Sequence, residues 1–186
     1  PTFAGRRLVT VIPPELRERM KMLSDREGAT VAMIFLAVIQ VLMHRLTQRQ
    51  TIVLGMPIAG RNQGETEGLV GLFVNELLVR QDLTGDESFK RVLAKTRESM
   101  LGAHGHQNLP FDSLVQILRP ARTLSRSPLF QVAFNHTTSP GKSLQFGGGL
   151  EWESELFPTG TAPFELLFDV NETPESLTLR IIHSTD

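Results

Sequence analysis

Hydrophobic and polar positions along this chain switch between a period near two and a period near 3.6, the signature of strands interleaved with helices. "RRLVTVIP" predicts a short strand stopped by Pro13 and Pro14. Pro14 suits the first turn of a helix, where its missing N–H would have no partner anyway. That helix carries Leu16, Met20, Leu23 and Glu27 on one side, with Gly28 placed just past its end. Thr30 is positioned to cap a second helix. From Val31 to Met43 the only polar residue is Gln40, which predicts a core helix covered on all sides by protein. The run falls short of the roughly 18–20 apolar residues that a membrane span needs.

"TIVLGMPIAGR" then predicts a strand from Thr51 to Pro57, followed by a polar, glycine-rich loop. "LVGLFVNELLVRQDL" predicts a further strand. Phe73, Asn75, Leu77 and Val79 would share one face, and Leu72, Val74 and Leu78 the other, so both faces look covered and the strand is expected at the centre of its sheet. Asp86 to about His104 is the clearest amphipathic helix, with Phe89, Val92, Leu93, Thr96 and Met100 at helical spacing. A shorter helix follows Pro110, and "RPARTLSRSP" is an irregular basic connection. "LFQVAFNH" predicts a strand, "GKSLQFGGGLEWESELF" a hairpin or extended excursion, and "FELLFDVN" and "LTLRIIHS" a final antiparallel pair turning at Pro174. Helices come mainly first and strands later, which points to a layered α/β or α+β sandwich, a mixed β-sheet with flanking helices.

Composition narrows the choice of function. The 186 residues suit one domain, 40% of them are hydrophobic, and 19 basic residues face 20 acidic ones. That balance lacks the basic excess of a nucleic-acid or anionic-membrane binder. The absence of cysteine removes disulfides and thiol nucleophiles and fits a cytoplasmic setting. "PTFAGRRLVT" has neither an initiating Met nor the apolar core of a signal peptide, so the expectation is a piece of a longer chain.

No catalytic set stands out. His44, His104, His106, His136 and His183 are scattered, and a lone "HGH" at 104–106 is a weak metal motif better suited to a helix end. There is no G-x-S-x-G, and "FGGGL" is not followed by the Lys-Ser/Thr of a phosphate-binding loop. Two residues are unusual. Asn75 is an amide in an apolar run, where it either ties down a neighbouring loop or faces a channel. Arg61 sits at the mouth of a turn, either paired with Glu65 or Glu67 or acting as a latch on a partner lobe.

Four segments taken in order, "VLGMPIAGR", "LVGLFVNELLVR", "HQNLPFDSLV" and "RTLSRSPLFQVAF", resemble the later motifs of nonribosomal peptide synthetase condensation domains, and the resemblance spans essentially the whole chain. It implies one lobe of the chloramphenicol-acetyltransferase-like fold, the C-terminal, acceptor-side subdomain, with residues 1–186 as a single unit. The N-terminal lobe, which carries the family's His-His-x-x-x-Asp-Gly, would be absent, and no such stretch occurs here. The implied activity is amide formation between a donor acyl thioester and an acceptor aminoacyl thioester. An epimerisation-type domain and a non-catalytic docking module are the alternatives.

No cofactor would bind directly; phosphopantetheine arms of acceptor and donor peptidyl carrier proteins would enter a tunnel between the lobes. The other partners would be the N-terminal lobe and an adjacent adenylation domain, with no nucleic acid and no membrane. By resemblance no residue of this chain is catalytic. Asn75, Arg61, Gly71 and Phe73 are candidates for the tunnel side. Gly60, His106, Pro110, Phe111, Ser125, Arg126 and Pro128 are structural members of the motifs. Residues 138–163 would form an arm crossing to the other lobe, and 60–71 a contact beneath the tunnel. Glu76, Asn108 and Thr123 depart from the residues usual in the family. A lobe without its partner is expected to expose apolar surface and strand edges.

Overall fold

Six of the predicted apolar runs pair into one mixed sheet. The computed structural model describes residues 2–61, 64–121, 126–139, 143–146, 150–153, 157 and 159–186. In chain order these form β1 (Gly5–Val11), α1 (Pro14–Glu27), α2 (Val31–Thr47), β2 (Thr51–Ile58), α3 (Gly64–Glu67) and β3 (Asn75–Asp82), then α4 (Phe89–Gly105), α5 (Phe111–Leu118), β4 (Val132–Thr138), β5 (Ser143–Phe146), β6 (Leu150–Glu153), β7 (Leu166–Glu172) and β8 (Leu177–Ser184). The large sheet has the order β1-β8-β7-β4-β2-β3, and β5 and β6 make a separate antiparallel hairpin. β2, β4 and β7 run parallel, while β3 and β8 run against them.

Local signals set both ends of α1 and the start of α2 as expected. Pro14 opens α1, Gly28 ends it in the left-handed region at φ 59°, and the Thr30 hydroxyl accepts from the Met33 N–H to cap α2. Ser88 caps α4, so that helix starts later than Asp86, and the acids before it serve the turn instead. Glu87 pairs with Lys95 and Arg91.

The core lies between one sheet face and α2 with α4. Leu54 and Met56 from β2, Leu77 and Val79 from β3, Phe134 from β4 and Phe168 from β7 meet Leu36, Ile39 and Leu93 there. Gln40, the polar residue of α2, is fully buried, and its Oε1 accepts from the Thr96 hydroxyl of α4 at 2.8 Å. On the opposite face, Gly55 makes room for Phe130: a Cβ there would lie 2.3 Å from the ring. Phe130 packs in turn against Phe111 and Phe164.

Two expectations need correction. The β3 run lies at the edge of the sheet, not its centre, and starts only at Asn75. Its inner residues are buried by α4, which supplies the cover that a second neighbouring strand was expected to give. Leu69, Val70, Leu72 and Val74, read as strand, lie in an exposed loop. The α2 helix is also not covered all round, because Val38, Leu42 and Leu46 form an exposed stripe at i, i+4, i+8.

Candidate functional site

The parallel strands deliver their carboxyl ends to one side of the sheet, where open α/β folds place their ligands. The amino end of β3 and the turn between β7 and β8 lie at the same end, because those strands run the other way. Two polar side chains, Arg61 and Asn75, organise the loops there.

Arg61 follows β2. Its guanidinium donates to the carbonyls of Thr66, Leu69 (2.8 Å) and Gly71 (3.2 Å) and lies 4.4 Å above the centroid of the Phe73 ring. Of the two readings open to Arg61, the ion pair with Glu65 or Glu67 does not form. A planar fork with several donors can close a loop on its own carbonyls in a way an ammonium cannot. Gly60 permits the approach: it has φ 64°, and a Cβ would lie 1.8 Å from the Phe73 carbonyl oxygen. The result is a loop held from within, with Val70 and Leu72 projecting almost wholly into solvent.

Asn75 opens β3. Its Nδ2 donates to the carbonyls of Gln107 (3.0 Å) and Leu109 (2.9 Å), and its Oδ1 accepts from the Phe111 N–H at 3.0 Å. Of the two roles open to this amide, the bonds observed are those that tie down a loop, here the α4–α5 connection. His106 closes α4, Pro110 precedes α5 in extended geometry, and Arg126 pairs with Glu165 at 2.7 Å. Pro128 lies in a bend before β4, and Ser125 lies outside the described residues. So does much of the expected 138–163 arm, of which the β5–β6 hairpin is described.

Between these loops and the helices is a cleft of about 340 Å³. Ala32 of α2, Met100 and His104 of α4, Ile58 of β2, and Phe134 and His136 of β4 line it. A second recess of about 290 Å³ adjoins it at Gly60 and holds Phe73 and Asn75 in its wall. In the first cleft His136 Nε2 lies 3.3 Å from Glu172 Oε2, and Glu172 Oε1 lies 3.4 Å from Arg17 Nη2. Arg17 also donates to the carbonyls of Thr173 and Pro174 and so holds the β7–β8 turn. This set of Arg17, Glu172 and His136 was not found in the sequence. No spacing marks it, since parallel pairing of β4 with β7 brings the residues together.

Glu76 is the other perturbed group nearby. Burial pushes its carboxyl above the usual glutamate range, and its Oε2 is enclosed without a hydrogen-bond partner. Among the described residues no group of three or more His, Cys, Asp or Glu side chains is arranged to hold a metal. None of the described helices is singly long and apolar enough to cross a membrane.

A family model described as "Condensation domain" matches residues 1–186. A linear gramicidin synthase chain from Brevibacillus parabrevis is 50% identical over 133 residues, covering 72% of this chain and 3% of that protein. The dimodular nonribosomal peptide synthase of Bacillus subtilis (strain 168) is 33% identical over 192 residues, covering 100% of this chain and 8% of that protein. The chain therefore spans a small fraction of the relatives it matches. Among solved structures, the condensation domain from Monacolin K polyketide synthase MokA superposes with a TM-score of 0.86 at 20% identity, over 100% of this chain and 43% of that one. The first condensation domain of the CDA synthetase gives 0.76 at 24% identity, over 97% and 40%. These structures share the fold.

Proposed function

Because this chain belongs to the condensation-domain family, we propose that it is the acceptor-side half of an amide-forming catalyst in nonribosomal peptide synthesis. The acceptor amine attacks the donor thioester carbonyl, the C–N bond forms as the C–S bond breaks, and the departing thiolate takes up the proton lost by nitrogen. Holding both thioesters in one tunnel makes this attack effectively intramolecular. The chain contains no His-His-x-x-x-Asp-Gly, so it supplies a wall and positioning groups, and an N-terminal lobe supplies the histidines. Phosphopantetheine arms of donor and acceptor carrier proteins would bring the substrates, an adenylation domain would load them, and the cytoplasm is the expected compartment.

One observation carries the reading. The exposed apolar loop clamped by Arg61 and the strand leading to the β5–β6 hairpin leave the sheet at the end that bears the cleft. Contacts to a second lobe and a substrate wall would then share one surface. The absence of the histidine motif also favours a second reading, in which the chain alone docks a lobe or carrier protein without chemistry.

Complementation separates the two. This chain, the matching N-terminal lobe and loaded donor and acceptor carrier proteins are mixed, and the acceptor is weighed by intact mass spectrometry. Extended product that requires both lobes is expected. A lobe–lobe complex that makes no product would overturn the amide-forming reading in favour of docking.

A further inference from the structure

The cleft at the carboxyl ends of β2 and β4 contains a histidine whose surroundings prescribe its chemistry. His136 Nε2 is sealed from solvent, and the group facing it is the Glu172 carboxylate at 3.3 Å. The contact falls short of hydrogen-bond geometry but is close enough to decide the tautomer. A nitrogen lone pair turned toward a carboxylate would be repelled, so the proton belongs on Nε2. Nδ1 then keeps the lone pair; no group among the described residues hydrogen-bonds to it and it is not enclosed, so it is open to the cleft that His136 borders.

The support is built in depth. Glu172 is itself held by Arg17, which is anchored on the Thr173 and Pro174 carbonyls. Groups that fix a histidine's far nitrogen in this way orient the near one for a ligand. Ala32, Met56, Ile58, Met100 and Phe134 give the cleft an apolar wall, and Arg61, His104 and Gln107 are its other polar side chains. Its volume of about 340 Å³ has room for an aminoacyl group with part of its thioester arm.

We infer that this cleft seats the acceptor's amino-acid side chain and that His136 Nδ1 accepts a hydrogen bond from a donor on that side chain. The inference rests on the condensation reading and deepens it by naming a selectivity residue. The preferred acceptors have an apolar stem ending in O–H or N–H. Glu172 and Arg17 are positioning residues, acting only through the imidazole. A bound side chain covers Nδ1, and one that lacks the donor leaves it unpaired, so the site discriminates against such acceptors.

The test uses the intact condensation domain containing this lobe, with seryl, glutaminyl, alanyl and leucyl pantetheine thioesters as acceptors. His136→Leu is expected to lower kcat/KM roughly tenfold for the seryl and glutaminyl acceptors, mostly through KM, and by less than about twofold for alanyl and leucyl. His136→Gln, which keeps an acceptor atom, is expected to restore part of the difference. An equal loss for all four acceptors, or no loss, overturns the inference. If the wild-type domain makes no amide with any acceptor, the condensation reading fails separately. The inference is then decided by ¹⁵N NMR of the His136 ring: Nδ1 is expected to shift on adding seryl-pantetheine and to ignore alanyl-pantetheine. The same response to both overturns it.

Discussion

The middle of the sheet and its loop-bearing end are built on different principles. In the middle, Leu36, Leu54, Val79 and Phe134 are sealed between strands and α2 with α4, and the buried polar pair there, Gln40 with Thr96, bridges the two helices. Stability in that region comes from apolar area and close packing, which is shared among many residues. At the end, the loops are ordered by single polar side chains that each bind several backbone groups. Arg61 holds three carbonyls, and Asn75 holds two carbonyls and an N–H. A domain can keep a stiff interior while its ligand end is set by a few hydrogen bonds, and that end can be reshaped without remaking the core.

The sharpest way to break this contrast is a cavity in the middle. Leu54→Ala is expected to cost about 2–5 kcal/mol of global stability, read by urea unfolding. Protection from hydrogen exchange should fall together across all the strands. Next in size is Asn75→Leu, which leaves the Phe111 N–H and the Gln107 and Leu109 carbonyls without their partner. A loss of about 2 kcal/mol is expected, with exchange at Phe111 and in α5 accelerating well beyond that in α2. Uniform acceleration would mean that the two regions unfold as one.

A smaller effect is expected from Arg61→Lys. Lysine keeps the charge and loses the fork, so proteolysis between residues 66 and 72 should speed up severalfold, with global stability changing by less than about 1 kcal/mol. The smallest effect is at Glu76, whose carboxyl is pushed above the ordinary value of 4.5 by burial. The native state then holds a proton that the unfolded state has released, so stability falls as pH rises through that window. Glu76→Gln is expected to raise the melting temperature slightly at neutral pH, and the gain should vanish as pH drops below 4.5. A gain that persists in acid would show that burial is not its source.

Much of the fold was legible because its signals are local. Thr30, Gly28 and Pro14 each act within one helical turn, and the alternation in "FELLFDVN" and "LTLRIIHS" marks two strands wherever they pair. Asn75 and Arg61 were visible as polar residues out of place, though not their partners. Apolar pattern misled where it could not say what does the covering. Leu69, Val70, Leu72 and Val74 look like buried strand yet face solvent, and β3 looks central yet is an edge that a helix covers. Both follow from one fact: periodicity records which positions are apolar and says nothing of what meets them.

By itself, the sequence determined most of the elements, the ends of α1 and the start of α2, and the family to which their order belongs, because each is written in residues close together along the chain. Only the tertiary structure decided which end of the sheet gathers the loops and which carboxylate faces His136. Glu172 reaches that ring because β7 lies parallel to β4 and Arg17 returns from the start of α1. Such contacts depend on strand order and direction, which come from the packing of the whole chain and leave no mark in local spacing.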